Sequence, residues 1–110
     1  YDAAVTARVL GPLGLHETRT TTPPESQRST LAVGYDEAGR ALPPWHLDAF
    51  AGAGALRASA HDLLRFLAAN LTPGAAPALR RALPLAQAVH YRGPAGQRMG
   101  LGWSRQRTLD

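Results

Sequence analysis

Cysteine and lysine are both absent from this sequence of 110 residues. Without cysteine the chain has no disulfide framework and no thiol nucleophile. Without lysine it contains neither the serine–x–x–lysine pair of some acyl hydrolases nor the lysine of a phosphate-binding P-loop. No apolar run approaches the roughly 18 residues that cross a bilayer, so no membrane span is predicted. The length allows one small domain with a single core.

The positive charge of the chain, +4 at neutral pH, comes from arginine alone. The twelve arginines are dispersed from Arg8 to Arg107, and only Arg80 and Arg81 are adjacent. A nucleic-acid surface needs basic residues clustered on one face, with stacking aromatics for single strands. Aromatic residues make up only 6% of the chain. The sequence therefore predicts a solvated basic surface and no nucleic-acid partner.

The periodicity of apolar residues and the turn signals predict an α+β fold, mainly helical, with a short β-hairpin and a terminal strand. A first helix is predicted over residues 2–10, with Asp2 as its cap and Gly11-Pro12 as its end. The other predicted elements are a polar loop over Thr20–Ser29, a hairpin of Leu31–Tyr35 and Arg40–Leu42, a helix after Ser59, a short helix over Pro77–Leu83 broken at Pro84, and a strand over Met99–Arg105.

The helix that follows Ser59 has the clearest pattern. Ser59 and Asp62 form an S-x-x-D sequence, which is related to the capping box. Leu63, Leu64, Leu67 and Leu71 fall on one arc of the helical wheel, and the polar side chains of His61, Asp62 and Arg65 fall opposite. Burial of a leucine is worth roughly 1.5–3 kcal/mol. The pattern predicts that the leucine face is buried and that Ser59 fixes the start of the helix.

The residues that could carry chemistry show no recognised catalytic or metal-binding spacing. The four histidines lie 15 to 30 residues apart, so no metal site is predicted. A nucleophilic serine needs a base within hydrogen-bond reach, and no serine has an evident one. The G-A-G-A sequence at Gly52–Ala55 lacks the preceding strand and third glycine of a dinucleotide site. These glycines instead indicate a tight turn or the close approach of a backbone or ligand.

Several short segments, taken in order, resemble the serine β-lactamase and penicillin-binding-protein-like hydrolases, and class C β-lactamases most closely. The resemblance extends from Tyr1 to about Arg105 and rests on the set GPLGLHET, LAVGY, PPWHLDAFAGAGALRASAHDLLRFLAANL, PLAQAVHY and MGLGW. It implies that residues 1–110 are part of a larger β-lactamase or transpeptidase-like domain, in which a serine is acylated by substrate and the acyl-enzyme is then hydrolysed.

The three catalytic motifs of that family are missing from these 110 residues. No serine–x–x–lysine is present, the tyrosines at 1, 35 and 91 lack the asparagine of tyrosine–x–asparagine, and no histidine is followed by x-Gly. The resemblance therefore implies a segment between the tyrosine motif and the last cleft-strand motif, with every catalytic group outside it and no cofactor. It further implies that Ala53, Gly54 and Ala55 line the substrate cleft while the following helix packs behind them.

Several consequences of the resemblance stay open on the sequence alone. Class C β-lactamases tend to have a tyrosine near the position of Gly54, so a β-lactam, a D-peptide and an ester all remain possible acyl substrates. The remaining part of the same domain is an implied partner, and a periplasmic or secreted location is implied for the whole enzyme. The alternative hypothesis is a small non-enzymatic binding module that uses Trp45, Phe50 and Trp103.

Overall fold

A computed structural model describes residues 1–72, 74 and 76–105, apart from the side chains of residues 27, 28 and 95. The chain divides into two compact units, Tyr1–Arg65 and Phe66–Asp110. The described residues form α-helices, short 3-10 helices and two small antiparallel sheets, which confirms the α+β class. No helix in this part of the chain has the length and apolar character that crossing a membrane requires.

The first unit begins with a helical segment that continues past its predicted end. Helix α1 (Asp2–Val5) leads into a π-helical turn (Thr6–Leu10) and then into helix α2 (Gly11–Leu13). In the π-helical turn a backbone N–H bonds to the carbonyl five residues back, as Gly11 N does to Thr6 O. The wider turn accommodates Pro12, which has no N–H to donate and would clash in a regular helix. Gly14, with φ +66°, ends the segment.

Asp2 does not act as the predicted cap. It is the first residue of α1, no side chain caps this helix, and the Asp2 carboxylate instead accepts a hydrogen bond from Thr20 Oγ1. Within the predicted polar loop, Glu25–Thr30 forms a 3-10 helix. A carboxylate at the start of a helix can thus accept a hydrogen bond from a hydroxyl that is distant in the chain, and the local sequence does not reveal this contact.

The predicted hairpin is confirmed as strands β1 (Gly34–Tyr35) and β2 (Ala41–Leu42), which pair in antiparallel register. Asp36 closes its turn by accepting hydrogen bonds from Ala38 N at 2.9 Å and Arg40 N at 2.8 Å. The Arg40 guanidinium adds an ion pair at 2.7 Å. These bonds lower the pKa of Asp36, the backbone bond from Arg40 most of all.

Helix α3 (Ala60–Leu71) starts where the sequence predicts, and Ser59 Oγ accepts a hydrogen bond from Asp62 N at 3.1 Å. The prediction of a buried leucine face is wrong for the part of the chain that the structure describes. The four leucines at 63, 64, 67 and 71 are 53%, 65%, 45% and 79% exposed, whereas Asp62, on the polar arc, is only 2% exposed. The described residues leave this apolar face uncovered, and the helix is held instead by its polar side.

In the second unit, a 3-10 helix (Pro77–Leu79) precedes helix α4 (Ala82–Gln87). The sequence predicts a helix over Pro77–Leu83 that is broken at Pro84, but Pro84 lies in the first turn of α4, where a backbone N–H has no intrahelical partner. Gln87 Nε2 donates to Asn70 Oδ1 at 2.8 Å and so joins α4 to the end of α3.

A three-stranded sheet completes this unit, formed by β3 (Tyr91–Arg92), β4 (Arg98–Met99) and β5 (Ser104–Arg105) in sequential antiparallel order. The strand predicted over Met99–Arg105 is therefore two strands joined by a turn. Trp103 in that turn is half-buried and stacks on Phe66, with ring centroids 6.3 Å apart.

Candidate functional site

Arg57 joins three separate stretches of the first unit. Its backbone pairs with that of Arg19 through N–H to carbonyl bonds of 2.9 and 2.8 Å. Its guanidinium donates to the carbonyl oxygens of Thr20 at 3.4 Å, Ala55 at 3.3 Å and Trp45. A planar guanidinium can serve several carbonyls at once because its five N–H donors lie in a fixed fork. Arg57 therefore fixes the relative positions of the segments around it.

An open cleft of about 420 Å³ lies beside Arg57. Its walls are mostly apolar and come from the segment after the 3-10 helix Glu25–Thr30, from the proline-rich loop and from the small-residue stretch before α3. The lining residues are Thr30, Leu31, Ala32, Pro44, Trp45, Leu47, Gly54, Ala55, Arg57 and Ala58. A concave apolar surface with a single fixed cation is suited to an acyl group that carries a polar or anionic substituent.

The structure places two of the three predicted wall residues in this cleft. Gly54 and Ala55 line it, whereas Ala53 is exposed at the end of the 3-10 helix Asp48–Ala53 and is not among its lining residues. Gly54 has φ +157°, which L side chains rarely adopt. Ala55 is 5% exposed, and its N–H bonds to Ala51 O at 3.0 Å. Contact of these three residues with a substrate stays a prediction.

Asp62 ties helix α3 to the loop after α2. Its Oδ2 accepts hydrogen bonds from Thr18 Oγ1 at 2.7 Å and from Glu17 N at 2.9 Å. The same residue donates its own N–H to Ser59. The S-x-x-D sequence thus supplies half of a capping box, while its carboxylate makes a long-range contact in place of the local one.

The pKa of Asp62 is lowered relative to an ordinary aspartate. Burial alone would raise it, but the hydrogen bonds from Thr18 and Glu17 N favour the charged form, and electrostatic interactions with His61 and Arg65 lower the pKa further. Because the lowered pKa belongs to the folded state, Asp62 stabilises the fold above its unfolded pKa. That contribution is lost as the pH falls through the folded pKa.

Three potential metal ligands meet around this carboxylate, although the sequence predicts no metal site. One ligand atom each from Glu17, His61 and Asp62 lies within 4.8 Å of the others. However, Asp62 Oδ2 already accepts two hydrogen bonds, and Arg65 Nε lies 3.4 Å from His61 Nε2. A guanidinium at that position repels a cation. The hydrogen bonds account for the arrangement without an ion.

Among the described residues no serine is joined to a base, whereas the hydroxyls of Thr18 and Thr20 donate to the carboxylates of Asp62 and Asp2. Of the hydroxyls of Ser26, Ser29, Ser59 and Ser104, none bonds to a histidine or carboxylate side chain in this part of the chain. The Thr22 hydroxyl and His46 Nδ1 are 3.4 Å apart on the surface. Proton transfer requires about 2.6–3.2 Å.

Sequence reasoning missed the two residues that organise this region, Arg57 and Asp62. Arg57 stands in no motif, and nothing in its neighbourhood indicates that it bonds to Thr20 and Trp45. Asp62 belongs to the S-x-x-D sequence, but helical periodicity places it opposite the leucine face that is predicted to be buried. The polar face of a helix, here the one that carries Asp62, can be the buried face when a polar loop covers it.

Comparisons with known proteins agree with the resemblance described above. The family model described as "Beta-lactamase" matches residues 1–109. No curated protein sequence matches the chain. A crystal structure of a β-lactamase/D-alanine carboxypeptidase from Pseudomonas syringae is similar, with a TM-score of 0.80 and 27% sequence identity. That similarity covers 94% of this chain and 29% of the other, so the chain spans less than a third of its solved relative. The chain belongs to the β-lactamase family.

Proposed function

We propose that residues 1–110 supply scaffold and part of a substrate-cleft wall to a serine acyl hydrolase that works through an acyl-enzyme. The serine and its proton-transfer partners are then provided by polypeptide outside these residues. The match to the β-lactamase family over residues 1–109 supports the reaction class. The similar structure is named for both β-lactamase and D-alanine carboxypeptidase, which supports a β-lactam or D-peptide substrate, with an ester as the third option. A periplasmic or secreted location is part of this proposal.

The observation that carries the proposal is the braced cleft at Gly54 and Ala55. The Arg57 guanidinium bonds to the Ala55 carbonyl and also to the carbonyls of Trp45 and Thr20. A wall held on several sides keeps its shape when a substrate enters, and pre-formed walls keep reacting groups in register. The small side chain of Ala55 and the missing one of Gly54 leave room for the acyl substituent.

The cleft wall can be tested in a hydrolase that includes this segment and the catalytic motifs. Ala58→Leu adds bulk to an exposed residue that lines the cleft, whereas Ala49→Leu adds the same bulk to an exposed position outside it. We expect Ala58→Leu to lower kcat/KM about tenfold, equivalent to about 1.4 kcal/mol, and Ala49→Leu to change it less than twofold. Nitrocefin, a D-alanyl-D-alanine peptide and a p-nitrophenyl ester distinguish the substrate classes. Equal effects of the two variants on all three would contradict the wall assignment.

A second candidate function, a non-enzymatic binding module, is favoured by the exposure of two aromatic residues. Trp45 is 76% and Phe50 75% exposed, while Trp103 is half-buried and stacks on Phe66. Exposed aromatic residues are typical of protein–protein contact sites. Trp45→Phe and Trp103→Phe variants separate the fluorescence of the two tryptophans. A blue shift of the Trp45 emission on adding peptidoglycan-free cell extract, with no acyl substrate, would support the module.

A further inference from the structure

Three arginines lie in one row across the small sheet of the second unit. The strand register places Arg92 opposite Arg98 and Arg98 opposite Arg105. Residues directly opposite each other in an antiparallel sheet share a face. All three are exposed. Since neighbouring strands are about 4.8 Å apart, the row is about 10 Å long at the backbone. Folding therefore collects on one surface cations that the sequence shows as dispersed.

No carboxylate in the described part of this unit, up to Arg105, neutralises the charge of this row. Residues 66–105 contain five arginines and no aspartate or glutamate, whereas residues 1–65 contain six arginines and seven carboxylates. Among the described residues, the guanidinium groups of Arg92, Arg98 and Arg105 make no hydrogen bond or ion pair. Like charges directly opposite each other destabilise a sheet. A bound anion would remove that repulsion.

We propose that the row of Arg92, Arg98 and Arg105 binds a linear polymer of phosphate groups. Each guanidinium presents parallel N–H donors that match phosphate oxygens in a bidentate manner. A row of three such groups fits a flexible chain with closely spaced anions better than a single small anion. This inference is independent of the hydrolase function proposed above, because it concerns a sheet surface and no residue of the cleft.

The residues on the opposite face of the sheet make two other polyanionic partners, single-stranded nucleic acid and an anionic membrane, less suitable than polyphosphate. The second register row consists of Tyr91, Met99 and Ser104, and successive residues of a strand point to opposite faces. The aromatic and apolar side chains are thus separated from the arginines. Binding to single-stranded nucleic acid uses aromatic stacking beside the cations, and a membrane surface needs apolar groups at the same contact. In the paired strands the arginine row offers neither, and Trp103, which lies two residues before Arg105, is half-buried with its ring stacked on Phe66.

Binding of inorganic polyphosphate to the 110-residue chain tests the proposal, with fluorescence anisotropy or calorimetry as the readout. The logarithm of the association constant should fall linearly with the logarithm of the salt concentration. Each contact with a single-stranded polyanion contributes about 0.7 to that slope, so three neutralised charges give a slope near −2. That slope corresponds to an affinity loss of about 16-fold between 50 and 200 mM salt. Arg98→Gln should reduce the slope by about 0.7.

A matched pair of double variants separates the row from net charge. Arg92→Gln/Arg98→Gln and Arg80→Gln/Arg81→Gln each remove two charges from the same unit, and only the first pair lies in the sheet. We expect the sheet variant to lose at least tenfold in affinity and the control to lose less than threefold. Equal losses would show attraction by overall charge and overturn the proposal. Tighter binding of a single-stranded oligonucleotide or of anionic phosphatidylglycerol vesicles would overturn it as well.

Thermal unfolding supplies a readout that does not depend on affinity. Arg98→Gln removes both like-charge contacts of the row, so it should raise the melting temperature in the absence of polyphosphate. Polyphosphate should raise the melting temperature of the unmodified chain and leave that of Arg92→Gln/Arg98→Gln unchanged. Far-UV circular dichroism confirms that the variants are folded. An equal shift in both proteins on adding polyphosphate would contradict the assignment.

Discussion

Replacement of Asp62 by alanine should destabilise the first unit more than any other single loss of a carboxylate. The substitution leaves the Thr18 hydroxyl and the Glu17 N–H, 2.7 and 2.9 Å from Asp62 Oδ2, without their acceptor. Hydrogen bonds to a charged group contribute about 1.5–3 kcal/mol each, and these two share one oxygen. We therefore expect the free energy of unfolding to fall by about 2–4 kcal/mol.

Urea denaturation followed by circular dichroism measures this loss. Glu37→Ala is the matched control, because Glu37 is an exposed carboxylate in the hairpin turn, and it should change stability by less than about 0.5 kcal/mol. Asp62→Asn keeps the shape and a neutral acceptor, so it should cost about 1 kcal/mol. A double-mutant cycle with Thr18→Val should give a coupling energy of about 1 kcal/mol.

The pH dependence provides an independent check of the same carboxylate. Because the folded-state pKa of Asp62 is lowered, its stabilising effect is complete at neutral pH and declines from about pH 4 downward. The difference in stability between the unmodified chain and Asp62→Asn should therefore be constant above about pH 5 and narrow in more acidic solution. A loss for Asp62→Ala no greater than that for Glu37→Ala, or a difference that does not narrow in acid, would refute this reasoning.

Three further substitutions test other parts of the fold. Arg57→Lys should cost about 1–2 kcal/mol in urea denaturation, because an ammonium group cannot hold three carbonyls in place of a guanidinium; no change would mean that Arg57 does not brace the cleft. Gly100→Ala should lower the free energy of unfolding by about 1–3 kcal/mol, because the added methyl group overpacks against the Ala86 carbonyl. Gly34→Ala, with open space around it, should leave stability unchanged. Equal melting temperatures of the two variants would contradict the close packing at Gly100. Leu67→Ala should cost only about 1 kcal/mol in this chain, since the side chain is 45% exposed, and a loss above 3 kcal/mol would show that its face is covered.

The features that the sequence predicted correctly are those that local chemistry determines. The DEAG turn between Tyr35 and Arg40 forms the expected hairpin, and Ser59 marks the start of α3. Both depend on hydrogen bonds within a few residues. The family resemblance was likewise correct, because it rests on the order of several segments over nearly the whole chain.

The features that the sequence did not predict depend on contacts over long distances in the chain. Helical periodicity identifies the two faces of α3 but not which one is covered, and here the loop at Thr18 covers the side that carries Asp62. The contacts of Arg57 with Thr20 and Trp45 likewise span 37 and 12 residues. The row of arginines needs the register of three strands, which turn lengths and pairing decide together.

We propose that residues 1–110 shape a cleft and that acyl transfer depends on groups outside them. Intact-mass spectrometry of the purified chain after incubation with a penicillin tests it most directly, with a complete penicillin-binding hydrolase as the positive control. We expect an unchanged mass for the 110-residue chain and a stoichiometric adduct for the control. A stoichiometric penicilloyl adduct on any of the four serines would contradict it.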